Sequence, residues 1–357
     1  MATRFLRPIA TAAPILVGIV GIAILLVAAT RFIGSPGFSY DYAAYALATR
    51  RIAAGGPLYP AGVAEAYNSG AYANLYLYAP PLAVALLPAT LLAPASAALA
   101  WLWLRVLLLI AGCAILPVGV PARVATLGVA GLSFPVLFDL NLGNLSIVLF
   151  ALAALIWRFR DRPAASLALA AILTVRYSFA IVLVSWFLRR AFGPLAWAIA
   201  AGLTIAAVTL PIVGFGGWID YLTILTGLRD ISTGPHNITF ADTFAALGLP
   251  GGLRPFLVAA TIAVSLLVTG YAARTKDAET ALVVALAASM LFAPFLHPHY
   301  LVQLLIPAAF LASRGHWWGL ALPLLGWLPG EVLPVVALVG IIAPLVAARP
   351  LGAVAGG

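Results

Sequence analysis

Charged residues are scarce in this sequence. Only 8% of its 357 residues are Asp, Glu, Lys or Arg, whereas 64% are apolar. A soluble domain carries about 25% charged residues, so the composition excludes a soluble globular protein and predicts an all-α polytopic membrane protein. Apolar runs and short connections occupy nearly the whole length and leave no room for a separate soluble domain. We therefore predict a single integral membrane domain over residues 1–357.

Cysteine and lysine are also nearly absent. The only cysteine, Cys113, lies inside an apolar run, which excludes a disulfide framework and a cysteine-based metal site. Lys276 is the only lysine among 19 basic residues, and most arginines lie singly or in pairs at the ends of apolar runs. This distribution is the positive-inside bias of a membrane protein. The formal net charge of +9 therefore does not indicate a nucleic-acid partner.

The sequence contains many long apolar runs, which predict about 11–12 transmembrane helices. The first run, residues 11–32, is long enough to span a bilayer, so we expect a retained first helix with its N-terminus in the cytoplasm. Two longer polar stretches, residues 33–78 and 214–252, are predicted as outer loops. Basic residues of the last third then fall on the inner side, as the positive-inside bias requires.

The middle of the chain conflicts with this topology. Simple counting of runs places the basic residues 158–162 on the outer side, against the bias. One repair makes residues 80–94 re-entrant and splits residues 164–188 into two short helices that meet near Arg176. Broken helices are tolerated at membrane depth where they line a cavity.

Polar side chains concentrate just after the first apolar run. Within about twenty residues the chain carries Asp41, Tyr45, Arg50, Arg51 and Tyr59. A carboxylate at the mouth of a membrane bundle is costly and usually functional. Among the ten acidic residues, Asp41 is therefore our candidate for a general base. The alternative is that Asp41 caps the helix that follows and that both arginines are solvated.

A second polar cluster follows a late apolar run, on the same predicted side as Asp41. His297, His299 and Tyr300 lie within four residues. Two histidines two residues apart diverge on a helix, and no nearby carboxylate or cysteine completes a ligand set, so we predict no metal site. His236 and Asn237, in the second predicted outer loop, are a weaker instance of the same pattern.

Arg176 and Asn144 are polar residues within apolar surroundings. A guanidinium inside residues 172–179 cannot face lipid cheaply, so Arg176 faces an interior cavity or an anionic ligand, or else pairs with a buried acid. Asn144 follows Gly143 at a predicted helix start, where it would hold an anion through its side chain or backbone N–H groups. A plain helix cap is the equal alternative for Asn144.

The predicted arrangement suits the transfer of a group from a lipid phosphate. It combines a carboxylate on the outer side, arginines near the bilayer and histidines at the same level. Nucleotide sugars are cytoplasmic, so an outward-facing transferase needs a sugar donor carried on a polyprenyl phosphate. The carboxylate would take the proton of an acceptor hydroxyl as it attacks the anomeric carbon. Arginine and histidine would stabilise the departing phosphate, and no metal is then obligatory.

Several short motifs between residues 41 and 307 together resemble glycosyltransferase family 87, the polyprenyl-phosphate-dependent mannosyl- and arabinofuranosyltransferases of the GT-C superfamily. The matching stretches keep the family's order and spacing: Asp41-Tyr42-Ala43-Ala44-Tyr45, Gly56-Pro57-Leu58-Tyr59, Tyr78-Ala79-Pro80-Pro81, Gly143-Asn144-Leu145-Ser146, Arg176-Tyr177-Ser178-Phe179 and Ala293-Pro294-Phe295-Leu296-His297-Pro298-His299-Tyr300. Asn144 and Ser146 replace the family's Gln and Asn, and Arg176 replaces its intramembrane Lys. Ala293 and His297 also depart from the family pattern.

The resemblance implies a GT-C-like bundle in which Asp41 is the catalytic base and His299 contacts the donor phosphate. The function expected is transfer of a sugar, by preference mannose, from a polyprenyl phosphate to an envelope glycan or glycolipid on the outer face of a bacterial inner membrane. No cofactor is expected. A transporter or flippase of a lipid-linked sugar is the alternative. The substrate-binding residues predicted beside these two are Arg176, Arg50, Arg51, Asn144, His297, Tyr300, Asn237, Tyr45 and Tyr59.

Overall fold

The computed structural model describes residues 2–228 and 237–348, with side chains from residue 12 onward. Over these residues the chain is helical and contains no strand, which confirms the predicted all-α class. The helices run in chain order as α1 (Ala2–Phe32), α2 (Tyr40–Ala53), α3 (Val63–Asn68), α4 (Pro80–Ala85), α5 (Pro94–Ile115), α6 (Val120–Leu132), α7 (Phe134–Leu142), α8 (Ser146–Arg158), α9 (Pro163–Leu173), α10 (Ala180–Leu188), α11 (Phe192–Gly227), α12 (Phe240–Ala246), α13 (Arg254–Thr275), α14 (Ala278–Ala288), α15 (Leu305–Ser313), α16 (Ala321–Leu324) and α17 (Leu333–Ala347).

Helices long and apolar enough to cross a membrane number five in the described chain: Ala12–Phe32, Pro94–Ile115, Phe192–Gly227, Gly251–Thr275 and Gly330–Ala347. The bent pair α6 and α7 would make a sixth. Further apolar helices of 10–17 residues, such as α8 and α14, are too short to meet the same test. The chain is therefore a polytopic membrane protein, whereas the full number of about 11–12 spans stays a prediction.

Residues 80–190 contain breaks at both places that the repair of the topology requires. Residues 164–188 form two short helices, α9 and α10, separated by a non-helical link at Arg176 and a 3-10 turn at Tyr177–Phe179. The side of the membrane on which residues 158–162 lie stays a prediction. Residues 80–94 contain only the six-residue α4 and the 3-10 turn Leu87–Leu91, so no spanning helix forms there.

The apolar run at residues 124–138 is divided between two helices, because the chain bends by 62° between α6 and α7. Pro135 lies in the first turn of α7, where its missing N–H is tolerated, whereas in a continuous helix its ring would clash with the preceding turn.

Helix α11 contains a break at the predicted start of the second outer loop. Two helical segments meet at a kink at Gly214, which has φ 68° and ψ 171°, and the second segment ends at Gly227. That conformation is accessible essentially to glycine alone. The bounds of the outer loop stay a prediction.

Glycines allow α1 to pack closely on α6. Gly18 and Gly21 of α1 face Val124, Gly128 and Gly131 of α6, and a Cβ atom built at Gly21 would overlap the Gly128 carbonyl. Side-chain-free contacts of this kind let membrane helices approach through van der Waals packing. The main apolar core includes residues of α1, α5, α8, α9 and α15, while a separate cluster joins α2 to the tyrosine-rich segment at residues 58–82. That second cluster supports the site.

Candidate active site

Asp41 lies in the first turn of α2, outside the helices long enough to cross a membrane. The start of α2 is tied to the end of α7, because the Ser39 amide donates to the Asn141 carbonyl at 2.8 Å. The Asp41 carboxylate accepts a hydrogen bond from the Asn144 side chain, with Nδ2 and Oδ2 2.7 Å apart. The structure thus pairs the predicted base with a residue 103 positions away, instead of leaving it as a simple helix cap.

The turn that carries Asn144 has little conformational freedom. Gly143 has φ 79°, and a Cβ atom there would lie 2.8 Å from the Tyr42 Cβ. The Trp101 indole of α5 donates to the Gly143 carbonyl at 2.8 Å. Asn144 Oδ1 in turn accepts from the Leu145 amide at 2.6 Å. Because Oδ1 is an acceptor here, Nδ2 is the end of the side chain that faces Asp41.

A buried ion pair lies beneath this turn. Arg105 of α5 and Asp139 of α7 are both fully buried, with Arg105 Nη1 3.4 Å from Asp139 Oδ2. Arg105 also donates to the backbone carbonyls of Asp139 and Leu140, at 2.6 and 3.0 Å. Asp139 Oδ1 accepts from the Ser146 amide at 2.9 Å, at the start of α8. The pair therefore connects α5, α7 and α8 at the level of the site.

Sequence reasoning missed this pair. Neither Asp139 nor Arg105 is among the residues selected from the sequence. Arg105 could have been identified in the same way as Arg176, because it is a lone arginine inside an apolar run, residues 97–116.

The pKa of Asp41 is raised above that of an exposed carboxylate. Burial raises the pKa of Asp41, whereas the Asn144 hydrogen bond and the positive charge of Arg105 oppose that rise. Burial disfavours the ionised form, and a hydrogen bond or a nearby cation favours it. These opposing effects suit a carboxylate that must be ionised before reaction and protonated after it.

Arg176 lies in the break between α9 and α10 and contacts an aromatic ring. Its guanidinium carbon is 3.2 Å from the centroid of the Tyr300 ring, a cation–π contact. Its Nε donates to Ser178 Oγ at 3.2 Å, and its buried Nη2 has no hydrogen-bond partner. None of the ion pairs within residues 12–228 and 237–348 involves Arg176, so the predicted alternative of a buried acid partner is not what the described chain shows.

His299 completes this cluster from the chain that precedes α15. The His299 ring is 4.5 Å from the Tyr300 ring and stacks in parallel on His297 at 5.5 Å. His299 is 6% exposed, and neither ring nitrogen has a hydrogen-bond partner. Buried polar atoms are normally hydrogen-bonded, so these nitrogens and Arg176 Nη2 are available to a ligand.

Tyr78 connects the Asp41 side of the site to the Arg176 side. Its hydroxyl lies 3.2 Å from that of Tyr45, and both Asp41 and Arg176 are close enough to act on it electrostatically. Tyr59 donates to the Tyr78 carbonyl at 2.6 Å. Predicted residues Tyr45 and Tyr59 are thus brought together, and Tyr78 is a site residue that sequence reasoning did not select.

A comparison with protein families decides the class of this chain. The model of glycosyltransferase family 87 matches residues 76–298, which is more than half of the sequence. The chain belongs to glycosyltransferase family 87. The matched range contains Asn144, Arg176 and His297, whereas Asp41 and His299 lie outside it. Searches of curated proteins and of solved structures give no match.

The glycosyltransferase also has an apolar groove beside α2. This cavity of about 560 Å³ is lined by the end of α1, one face of α2, residues 86–90 and the start of α5. Its polar lining includes Ser39, Thr49, Thr90 and Arg50. The Arg50 guanidinium is held by the Leu92 carbonyl at 3.2 Å. The groove therefore combines an apolar channel with a cationic side chain, a combination that suits a lipid with an anionic head group.

The remaining predicted residues lie at the edges of the site. The Arg51 guanidinium donates twice to the Leu58 carbonyl, at 3.2 and 2.9 Å, which fixes the chain leading to Tyr59. Asn237 adjoins the histidine segment, because the amide of Ile238 donates to the Leu296 carbonyl at 2.8 Å. The substrate roles of Arg50, Arg51 and Asn237 stay predictions. His236 lies outside the described residues.

The described chain of the glycosyltransferase contains no group of three or more His, Cys, Asp or Glu side chains placed to hold a metal ion. His297 and His299 are stacked in parallel, and Tyr300 and Arg176 are their neighbours. The donor set around the two histidines is therefore aromatic and cationic. Such a set fits an anion better than a divalent cation, whose ligands are carboxylates, thiolates and imidazoles.

Proposed function

We propose that this glycosyltransferase moves a sugar, by preference mannose, from a polyprenyl-phosphate donor to a hydroxyl of an envelope glycan or glycolipid. The observation that carries the proposal is the meeting of two complementary groups. Asp41 is a partly buried carboxylate held by Asn144 at 2.7 Å. Asp41 and Arg176 both act electrostatically on Tyr78, and His299 lies beside the Tyr300 ring that the Arg176 guanidinium covers. Within the described residues, Arg176 Nη2 and both His299 ring nitrogens are buried without a hydrogen-bond partner. A base and an anion site close to the same two tyrosines suit transfer from a phosphate.

The proposed reaction is a single displacement at the anomeric carbon. The acceptor oxygen forms a bond to that carbon while the bond to the phosphate oxygen breaks. The electron pair of the broken bond leaves with the polyprenyl phosphate. Asp41 accepts the proton from the acceptor hydroxyl as this oxygen attacks. Asp41 therefore ends the step protonated, and the proton is later released to water.

Arg176 and His299 would act on the leaving group. The phosphate gains negative charge as the bond breaks, and pre-placed donors stabilise such charge most effectively where water is excluded. Arg176 supplies a permanent positive charge, and its Nη2 has no other partner. His299 supplies an N–H donor from a buried ring. The proposal requires no metal or other cofactor, because these side chains already provide charge and donors.

The groove beside α2 supports a lipid-borne substrate. Its lining is almost entirely apolar apart from Arg50 and four hydroxyl side chains, those of Ser39, Tyr42, Thr49 and Thr90. An isoprenoid chain lying there would place its phosphate at the level of α2, where Asp41 also lies. We propose the outer face of a bacterial inner membrane as the location, because the arginine distribution of the last third leaves Asp41 and His299 on the outer side.

Transfer of labelled mannose tests the proposal. Membranes containing the wild-type protein or Asp41→Asn are incubated with polyprenyl-phosphate [¹⁴C]mannose and endogenous lipid acceptors. We expect incorporation by the wild type and a loss of about 10²- to 10⁴-fold in the variant, since general-base catalysis contributes that much. Equal incorporation by both proteins would remove Asp41 from the mechanism. Donor binding without incorporation by the wild type would instead favour a transporter or flippase.

A further inference from the structure

We infer that Asn144 is a positioning residue, which holds the Asp41 carboxylate so that one oxygen faces the acceptor hydroxyl. The inference rests on the proposed role of Asp41 as the base. It changes the role expected for Asn144, which the sequence had placed in direct contact with substrate.

The hydrogen-bond pattern fixes the direction of the Asn144 amide. Its Oδ1 accepts from the Leu145 amide at 2.6 Å and from Ser146 Oγ at 3.3 Å. A flipped side chain would place the NH₂ group against both donors. Nδ2 must therefore be the end that meets Asp41 Oδ2 at 2.7 Å. That contact occupies one carboxylate oxygen and leaves the other, Oδ1, to accept a proton.

The backbone around Asn144 is held by residues of another helix. Trp101 of α5 donates to the carbonyl of Gly143. One turn further along α5, Arg105 donates to two carbonyls at the end of α7. Asn144 is itself only 6% exposed. A donor fixed in this way holds a carboxylate at little entropic cost during the reaction, which is the advantage of preorganised groups.

The amide also favours the ionised form of Asp41. An amide donates but does not ionise, so its hydrogen bond stabilises the carboxylate anion relative to the acid. The other titratable groups near enough to act electrostatically on Asp41 or to feel its charge come from α2, α5, α7, the segment before α4 and the segment before α15: Tyr45, Arg105, Asp139, Tyr78 and Tyr300. Arg105 and Asn144 are the groups that favour the anion.

Two substitutions at Asn144 and one matched control test the inference. Asn144→Ala removes both the donor and the acceptor. Asn144→Asp keeps the shape and the oxygen that accepts from Leu145, but replaces the donor with a second acid. Asn141→Ala is the control, because Asn141 is an asparagine of the same turn whose Oδ1 accepts from Ser35 Oγ at 3.0 Å. All three are compared in the full-length protein by thermal unfolding before kinetics.

Steady-state transfer from polyprenyl-phosphate mannose separates positioning from substrate binding. For Asn144→Ala we expect kcat to fall about 10- to 100-fold, with little change in the donor KM and with the acid limb of the pH profile moved up by about one unit. Asn144→Asp should move that limb further, since two adjacent carboxyls cannot both ionise easily. Asn141→Ala should keep the wild-type profile. A raised donor KM with unchanged kcat and unchanged acid limb would overturn the inference.

Infrared titration of the purified protein tests the same contact without turnover. The carboxylic acid band of Asp41 is identified as the band lost in Asp41→Asn. Its midpoint should lie higher in Asn144→Ala than in the wild type, and the same midpoint in both proteins would show that Asn144 does not stabilise the carboxylate. Because this readout needs no donor, it distinguishes failure of the Asn144 contact from failure of the proposed function, in which wild-type protein would not transfer mannose.

Discussion

The guanidinium of Arg176 lies over the ring of Tyr300, with its carbon atom 3.2 Å from the ring centroid. The contact places a permanent charge in an apolar segment, with no acidic partner among residues 12–228 and 237–348. An aromatic face attracts the cation yet leaves its N–H edge free to bind an anion. Nη2 of Arg176 is such a free donor. Arg176 is thus stabilised in a way that preserves its capacity for a phosphate.

Arg176→Ala should weaken donor binding more than acceptor binding. A hydrogen bond to a charged group is worth about 1.5–3 kcal/mol, so we expect the donor KM to rise about 10- to 100-fold, with a smaller change in the acceptor KM. Initial rates at varied donor and varied acceptor concentrations measure the two constants. Equal increases in both would indicate that Arg176 has a structural role.

Two substitutions of Tyr300 separate the role of its ring from that of its hydroxyl. Tyr300→Phe keeps the aromatic face under Arg176 and removes only the hydroxyl, whereas Tyr300→Leu removes the face. We expect Tyr300→Leu to raise the donor KM more than Tyr300→Phe does, because the cation–π contact depends on the ring and only a side-chain hydrogen bond to Arg176 depends on the hydroxyl. If the two variants were equally impaired, the hydroxyl would be the functional group instead.

The pH dependence of transfer should report the environment of Asp41. Burial raises the pKa of Asp41, and the residue must be ionised to accept a proton. The kcat/KM value should therefore fall as the pH drops through a midpoint above the ordinary Asp value of about 3.9. Asp41→Asn should lack this transition in its residual activity. A midpoint at or below the ordinary value would contradict a raised pKa.

The raised pKa of Asp41 also predicts how stability depends on pH. Stability should fall as the pH rises through this range, whereas activity should rise. Because the folded-state pKa of Asp41 is raised, the folded protein holds the proton more tightly than the unfolded chain does. Ionisation of Asp41 therefore destabilises the fold as the pH rises through that range. Asp41→Asn should unfold at a higher temperature than the wild type at neutral pH, and the difference should shrink in acid. Thermal unfolding in detergent at several pH values measures this.

Candidate site residues could be selected from the sequence because their residue types are rare in it. In a chain with ten acids and four histidines, Asp41, His299 and Arg176 each stand out against apolar surroundings. The structure brings all three near Tyr78 and Tyr300. The break at Arg176 was also predictable, because an uninterrupted helix through residues 164–188 would have conflicted with the positive-inside bias.

The sequence could not show which polar side chains contact each other in the fold. The partner of Asp41 is 103 residues away and the partner of Arg105 is 34 residues away. Both contacts depend on how α5, α7 and the turn at Gly143 pack. The sequence predicts that Asn144 holds an anion or caps a helix, whereas its partner in the structure, Asp41, belongs to another helix.

The buried pair of Arg105 and Asp139 should be sensitive to the loss of one member. Arg105→Leu leaves the Asp139 carboxylate buried without its cation, and breaking a buried pair costs about 3–5 kcal/mol. The double variant Arg105→Leu with Asp139→Asn should recover part of this loss, because it removes the uncompensated charge and keeps an acceptor for the Ser146 amide. Unfolding temperatures of the three proteins give the comparison. A double variant less stable than Arg105→Leu would mean that charge is not the main cost.

Because α1 and α6 approach closely, substitution by alanine should lower the stability of the protein at Gly21 of α1 but not at Gly202 of α11. Gly21→Ala would force its Cβ into the Gly128 carbonyl, whereas at Gly202 of α11 a Cβ atom meets nothing within 4 Å. Overpacking of a close contact costs about 1–3 kcal/mol, so Gly21→Ala should lower the unfolding temperature. Gly202→Ala should leave it unchanged or raise it slightly, because alanine is the better helix former. Both proteins carry the same chemical change, so a similar loss of stability in Gly202→Ala would refute close packing at Gly21 as the cause.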